Sequence, residues 1–253
     1  MHVFRVQLRK ELLELWRTRK VLIVWVVLIA FGLMSPLFAK LTPELLKSMG
    51  EQQQNIQITI TEPTTNDATD QFVKNTTQFG LLLGVLMSFG AIAGERERGQ
   101  ATLIFPHPLP RETFALAKFA ALAILFGVGL LLGALADLLY TLLLFDAPPV
   151  GGFVVLVIFI YLWLLCLIAL SLLASALGRS MTGAGGLAFV FVLVVLIASS
   201  LTRFAPGKLT DWGRTLAIGA DGPAQWGALI VTLALTVLAV AGSAIALRRQ
   251  EIE

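Results

Sequence analysis

GERERGQATLIFPHPLPRETFALAK, residues 94–118, is a polar segment set between two apolar blocks, 77–93 and 114–145, the second of which begins inside it. A loop that only links two membrane spans needs few polar residues. Here Glu95, Arg96, Glu97 and Arg98 alternate in sign, Gly99 interrupts them, and Pro106, Pro108 and Pro110 stiffen the return toward the second block. That density of charge beside a span marks a place where something docks.

The rest of the chain fits this reading. It has 253 residues, 57% of them hydrophobic and 14% charged, with a mean hydropathy of +0.84. A soluble domain carries about 25% charge, so the chain is an integral membrane protein. Its apolar residues fall in blocks near the ~20 residues a helix needs to cross a bilayer, without the period-two alternation of a barrel. Six spans are expected, at 21–39, 77–93, 114–145, 152–177, 183–201 and 226–247. The fold class is therefore all-α, as one membrane domain over residues 1–253.

Counting Lys and Arg sets the orientation. Thirteen lie at the N-terminus, in residues 94–118, at Arg179 and at Arg248 and Arg249, against six on the other side. The positive-inside rule then places both termini and the 94–118 segment in the cytosol of a cell inner or plasma membrane. Residues 40–76 form an extracytoplasmic loop, in which the alternation of Ile56, Ile58 and Ile60 with polar residues predicts one short strand. Residues 202–225 mix turn signals with Trp212, Leu216 and Ile218, which predicts short interfacial or re-entrant helices.

Residues 1–20 read as an amphipathic helix. Phe4, Leu8, Leu12, Leu15 and Trp16 recur at spacings of three and four, and Arg5, Arg9, Lys10 and Arg17 largely fill the other face. Such a helix serves as a lipid-surface anchor or as a partner contact, and the pattern leaves both open.

Several chemistries are not supported. His2 and His107 have no neighbouring ligand set, and Cys166 is the single cysteine, so neither a metal centre nor a disulfide is expected. The string at Gly207 and Lys208 lacks a phosphate-loop glycine, since Thr202 stands five residues before Gly207. No ATP site or other cofactor site is expected in this chain. Ser171, Ser175, Ser199 and Ser200 have no histidine partner for nucleophilic catalysis. The basic residues form no stripe with aromatics, so no nucleic acid is implied. Asp137 is the acid deepest in an apolar run, and an intramembrane carboxylate is by default a candidate for a translocation path.

Residues 94–118 resemble, without a gap, the signature at the end of the second span in membrane subunits of ABC-2 type transporters, which reads approximately GEREEGTLELLLSTPVSRWEIVLGK. Gly94, Glu95, Arg96, Glu97, Gly99, Leu103, Pro108, Arg111, Leu116 and Lys118 coincide with it, while Gln100, Thr102 and Pro106-His107 depart from it. The six spans, the basic amphipathic N-terminus and the short tail are also similar to the family. The resemblance implies an exporter permease, type V exporter-like, with no catalytic site of its own. Its path would be driven by two copies of a cytosolic ATP-binding cassette subunit, which bind ATP and Mg. It further implies a second permease subunit, as a homodimer, and an ATPase-coupling interface at Glu95, Arg96, Glu97, Arg98, Gly99, Pro108, Arg111 and Lys118. Two other readings compete: an ion-coupled carrier or channel using Asp137, and a membrane-embedded lipid-modifying enzyme, for which no cluster of acids, histidines or nucleophiles is present.

Overall fold

The computed structural model describes residues 2–51, 62–97 and 111–249, with side chains placed in all of these except 44–51 and 249. The described residues are helical, with short connections. The N-terminal helix α1 (His2–Arg17) turns at Arg19, whose φ of 58° is uncommon for a residue with a side chain, into α2 (Lys20–Glu51). Then come α3 (Thr65–Ser88), α4 (Gly90–Glu97), α5 (Arg111–Leu144), α6 (Val150–Leu177), α7 (Met181–Leu201), α8 (Gly207–Ala217) and α9 (Trp226–Arg249). Six helical stretches are long and apolar enough to cross a membrane, with α3 and α4 forming one of them. These match the six expected spans. The strand expected at Ile56, Ile58 and Ile60 lies outside the described residues.

Two boundaries differ from expectation: α2 runs on to Glu51, past the expected span end at 39, and the second span starts early, so helix takes up much of the expected 40–76 loop. The second span starts at Thr65, twelve residues before the expected 77, because Asn66, Asp67, Asp70, Gln71, Lys74 and Asn75 lower the average hydropathy of a stretch that is nonetheless helical. Its inward line is Ala68, Phe72 and Asn75, at helical spacing. Asp67 fixes the start by accepting from the Thr64 backbone N–H at 2.8 Å. The region 202–225 does contain a short helix, as expected. Its Leu209, Trp212, Gly213 and Ala217 are buried, with Trp212 against Phe159 of α6 (centroids 4.8 Å apart) and Trp226 of α9 (5.3 Å).

α6 is the axis of the bundle, packed against α3, α7, α8 and α9. Leu156, Ile160, Leu164, Leu167, Ile168 and Leu172 are fully buried along it, which accounts for an apolar run without a polar face. α2 and α5 cross at backbone contact: a Cβ on Gly32 would fall 2.2 Å from the Gly133 carbonyl oxygen. Pro36 cannot donate to the Gly32 carbonyl one turn back, so the ladder is already open at this crossing. At one end of the bundle α1, α4 and the ends of α5 and α9 meet. At the other, Arg214 of α8 forms a bidentate pair with Asp70 of α3, its Nη2 donating at 2.6 Å. The hydrogen bonds to Asp70 hold the Arg214 guanidinium above its ordinary pKa.

Candidate functional site

Of the sequence-predicted residues, Glu95, Arg96, Glu97, Arg111 and Lys118 gather at the α1 end. Lys118 is buried on α5, and its Nζ donates to Glu95 Oε1 of α4 at 2.7 Å and to Glu11 Oε2 of α1 at 2.9 Å. Gln7, also buried, donates to the other oxygen of Glu11 at 2.9 Å. Lys10 closes the cluster, 3.5 Å from Glu11 and 3.7 Å from Glu95. Glu14 lies 4.0 Å from Lys10 as well, so three carboxylates meet these two ammonium groups, and hydrogen bonds are what make such burial tolerable. Among the described residues Glu95 Oε2 has no protein partner, and a cavity of about 30 Å³ lined by Glu11, Glu14, Glu95 and Lys118 lies beside it, the volume of a single water molecule. The oxygens of Glu11, Glu14 and Glu95 lie within 4.8 Å of one another. Lys118 and Lys10 supply the cations there.

The last turn of α4 reaches two further helix ends. Arg96 Nη1 donates to the Gly178 carbonyl at 2.9 Å, just past the C-terminus of α6. Glu97 accepts from the backbone N–H of Met181, the first residue of α7, at 2.6 Å. A cation at one helix's C-terminus and an anion at the next helix's N-terminus both complement the helix dipoles. The other end of α4 is held as well, since Ser175 Oγ accepts from the N–H groups of Ile92 and Ala93, each at 3.0 Å. Arg111, the first residue of α5, donates to the carbonyls of Leu247 (2.8 Å) and Arg248 (3.0 Å) at the end of α9.

Within one turn, then, Glu95, Arg96 and Glu97 engage α1, α5, α6 and α7. Glu95 and Lys118 face inward, Arg96 is half-buried and Glu97 is exposed. Arg98, Gly99 and Pro108 lie outside the described residues. The residues that the pattern did not single out are Glu11 and Gln7. The middle of the inward face of α1 is Gln7, Glu11 and Leu15, flanked by Phe4, Leu8 and Leu12, while Trp16 is 61% exposed. An acid at position 11 inside a stripe of leucines was the available signal. α1 is therefore docked on its own bundle through a specific ion pair.

Asp137 stands apart from this cluster. It is buried in α5, one turn beyond the Gly133 crossing, and among the described residues its Oδ1 and the buried hydroxyl of Thr141, one turn further, are unpartnered.

The sequence model of "ABC-2 family transporter protein" matches residues 6–212. The chain belongs to this family. The ABC-2 match spans from α1 into α8 and so includes the whole Glu11, Glu95 and Lys118 cluster. The chain is also similar to the "Uncharacterized transmembrane protein YxlG" of Bacillus subtilis (strain 168), 25% identical over 119 residues, 47% of this chain and 46% of the relative. The alignment thus spans about half the length of that relative. As an ABC-2 family member with six helical stretches of membrane-crossing length, the chain is a multi-pass membrane protein.

Proposed function

We propose that this chain is the permease of an ATP-driven exporter and that the last turn of α4 is its coupling element. The observation that carries the reading is the convergence of Glu95, Arg96 and Glu97 on four helices at the point where the chain enters residues 98–110. In the resembled family this segment sits on an ATP-binding cassette subunit. A push delivered there would reach α1, α5, α6 and α7 through charge-assisted hydrogen bonds rather than be absorbed in a slack loop. The partner supplies ATP, Mg and hydrolysis; ATP-driven closure of two such subunits would draw two α4 elements together and shift the spans between inward- and outward-open arrangements. Export, and the cytosolic placement of both termini, rest on the family resemblance and on the Lys/Arg count.

The second permease is a copy of this chain in our reading. α7 supports it: Ala184, Ala188, Val192 and Val195 form its one buried stripe, and Phe189, Val190, Leu193, Val194 and Ile197 are exposed. Co-expression with a candidate ATP-binding cassette protein from the same genome is expected to yield a complex with the mass of two permeases and two ATPases, and a higher ATPase rate than that of the ATPase alone. Glu97→Lys is expected to leave the complex intact and remove most of that stimulation, because it places a cation at the α7 N-terminus. Failure to co-purify any such ATPase overturns the proposal, and full stimulation in the Glu97 variant removes α4 from it.

The unpartnered Asp137 oxygen favours a second reading, an ion-coupled carrier. Under the ATP-driven reading, Asp137→Asn leaves stimulated ATPase activity unchanged. Proton flux through vesicles of the purified chain alone, reported by an entrapped pH dye and lost in Asp137→Asn, would favour the carrier.

A further inference from the structure

A trough with a volume of about 1080 Å³ runs between α1, α5 and α9 on the outer face of the bundle. Its walls are Phe4 and Leu8 of α1, Leu116 of α5, and Val237, Ala241 and Ile245 of α9, of which Leu116, Val237 and Ile245 are well exposed. Along α9 it extends from Thr236 to Arg248. At the rise of a helix that is about 18 Å, little more than half of a hydrocarbon core of ~30 Å. The trough therefore matches the depth of one leaflet.

Its polarity is graded in the same direction. The charged groups, Arg5, Glu112 and Arg248, all stand at the end where α1 lies, and the remaining wall is apolar apart from Thr113 and Thr236. Glu112 is paired with Arg248. Among the described residues Arg5 pairs with no carboxylate, so the mouth holds two guanidiniums against one acid. A long apolar channel with a net positive mouth complements a molecule with an aliphatic tail and an anionic head.

We propose that this trough binds one phospholipid with an anionic headgroup, drawn from the leaflet on the α1 side. The acyl chain lies along α9 between Leu116 and Val237, and the phosphate sits between Arg5 and Arg248. Basic pockets between spans take lipid headgroups by this logic, and each basic residue near an anionic surface adds to retention. The site is separate from the Glu11, Glu95 and Lys118 cluster and does not depend on the direction of transport or on the ATPase.

The test uses the full chain, purified and delipidated in neutral detergent, with native mass spectrometry after adding dioleoylphosphatidylglycerol or dioleoylphosphatidylcholine. One phosphatidylglycerol per chain is expected to be retained, and the zwitterionic lipid not. Ala241→Trp, which fills the trough, and the double variant Arg5→Gln/Arg248→Gln are each expected to lower that occupancy about tenfold. Glu112→Gln frees Arg248 and is expected to hold the lipid at least as well; the Glu112–Arg248 pair is on the surface, so its loss leaves the fold intact. Equal retention of both lipids, undiminished binding in the trough variants, or a drop in Glu112→Gln overturns the proposal. So does a change of oligomeric mass in Ala241→Trp without loss of lipid, which would assign the trough to a second copy of the chain.

Discussion

Replacing Lys118 with methionine is expected to destabilise the protein by about 3–5 kcal/mol, the cost of removing one partner from a buried ion pair. The size reflects the charges left behind. Glu11 and Glu95 approach the same ammonium from two helices, at 2.9 and 2.7 Å, and all three side chains are almost entirely buried. Without Lys118 two desolvated carboxylates face one another, with the half-exposed Lys10 at 3.5 and 3.7 Å in place of the buried ammonium. At roughly 2–4 °C per kcal/mol for a chain of this size, the midpoint of thermal unfolding in detergent would fall by about 6–20 °C. The triple variant Lys118→Met/Glu11→Gln/Glu95→Gln is expected to recover most of the loss, since buried charge clusters replaced as a whole cost little. An unchanged melting temperature for Lys118→Met would show that the cluster is wet and weak.

A leucine at Gly32 is expected to be more damaging still, because nothing at the α2–α5 crossing can yield. The first added carbon would meet the Gly133 carbonyl oxygen at 2.2 Å, and Gly133 itself has room for no Cβ, which would lie 2.7 Å from the Leu28 carbonyl oxygen. Overpacking against flexible side chains costs about 1–3 kcal/mol, and here the obstacle is backbone on both sides. Gly32→Leu should therefore fail to give a monodisperse protein on size exclusion. Gly151→Leu is the matching control, since a Cβ there meets nothing within 4 Å at the start of α6. Loss of both proteins would point to bilayer insertion, and normal behaviour of both would mean that α2 and α5 are not in contact. Small residues at such crossings let helices approach in the absence of a hydrophobic drive between them.

The spans were legible because apolar blocks of bilayer length have no other stable fate. What escaped was long-range or hidden by averaging. Residues 65–76 carry enough acids and amides to look like loop, yet Ala68 and Phe72 are at 0% and 1% exposure on the same helix. Glu95, Arg96, Glu97, Arg111 and Lys118 stood out in the chain, but their partners lie far away in it: Met181 for Glu97, Gly178 for Arg96, Leu247 for Arg111. No spacing rule connects residues 84 or 136 positions apart. Glu11 was missed because a charge in a basic amphipathic helix reads first as part of its polar face. The geometry that makes it an inward residue exists only once α5 is alongside.

The turn from α6 to α7, Gly178 to Ser180, is the kind of short connection in which a chain ordinarily accepts an extra residue at little cost. Here Arg96 and Glu97, adjacent on one helix, grip its two sides. The separation of the Gly178 carbonyl and the Met181 amide is thereby gauged by a helix more than 80 residues earlier. One inserted residue would release one grip or the other, so the length of this turn is set by α4 rather than by the two helices it joins.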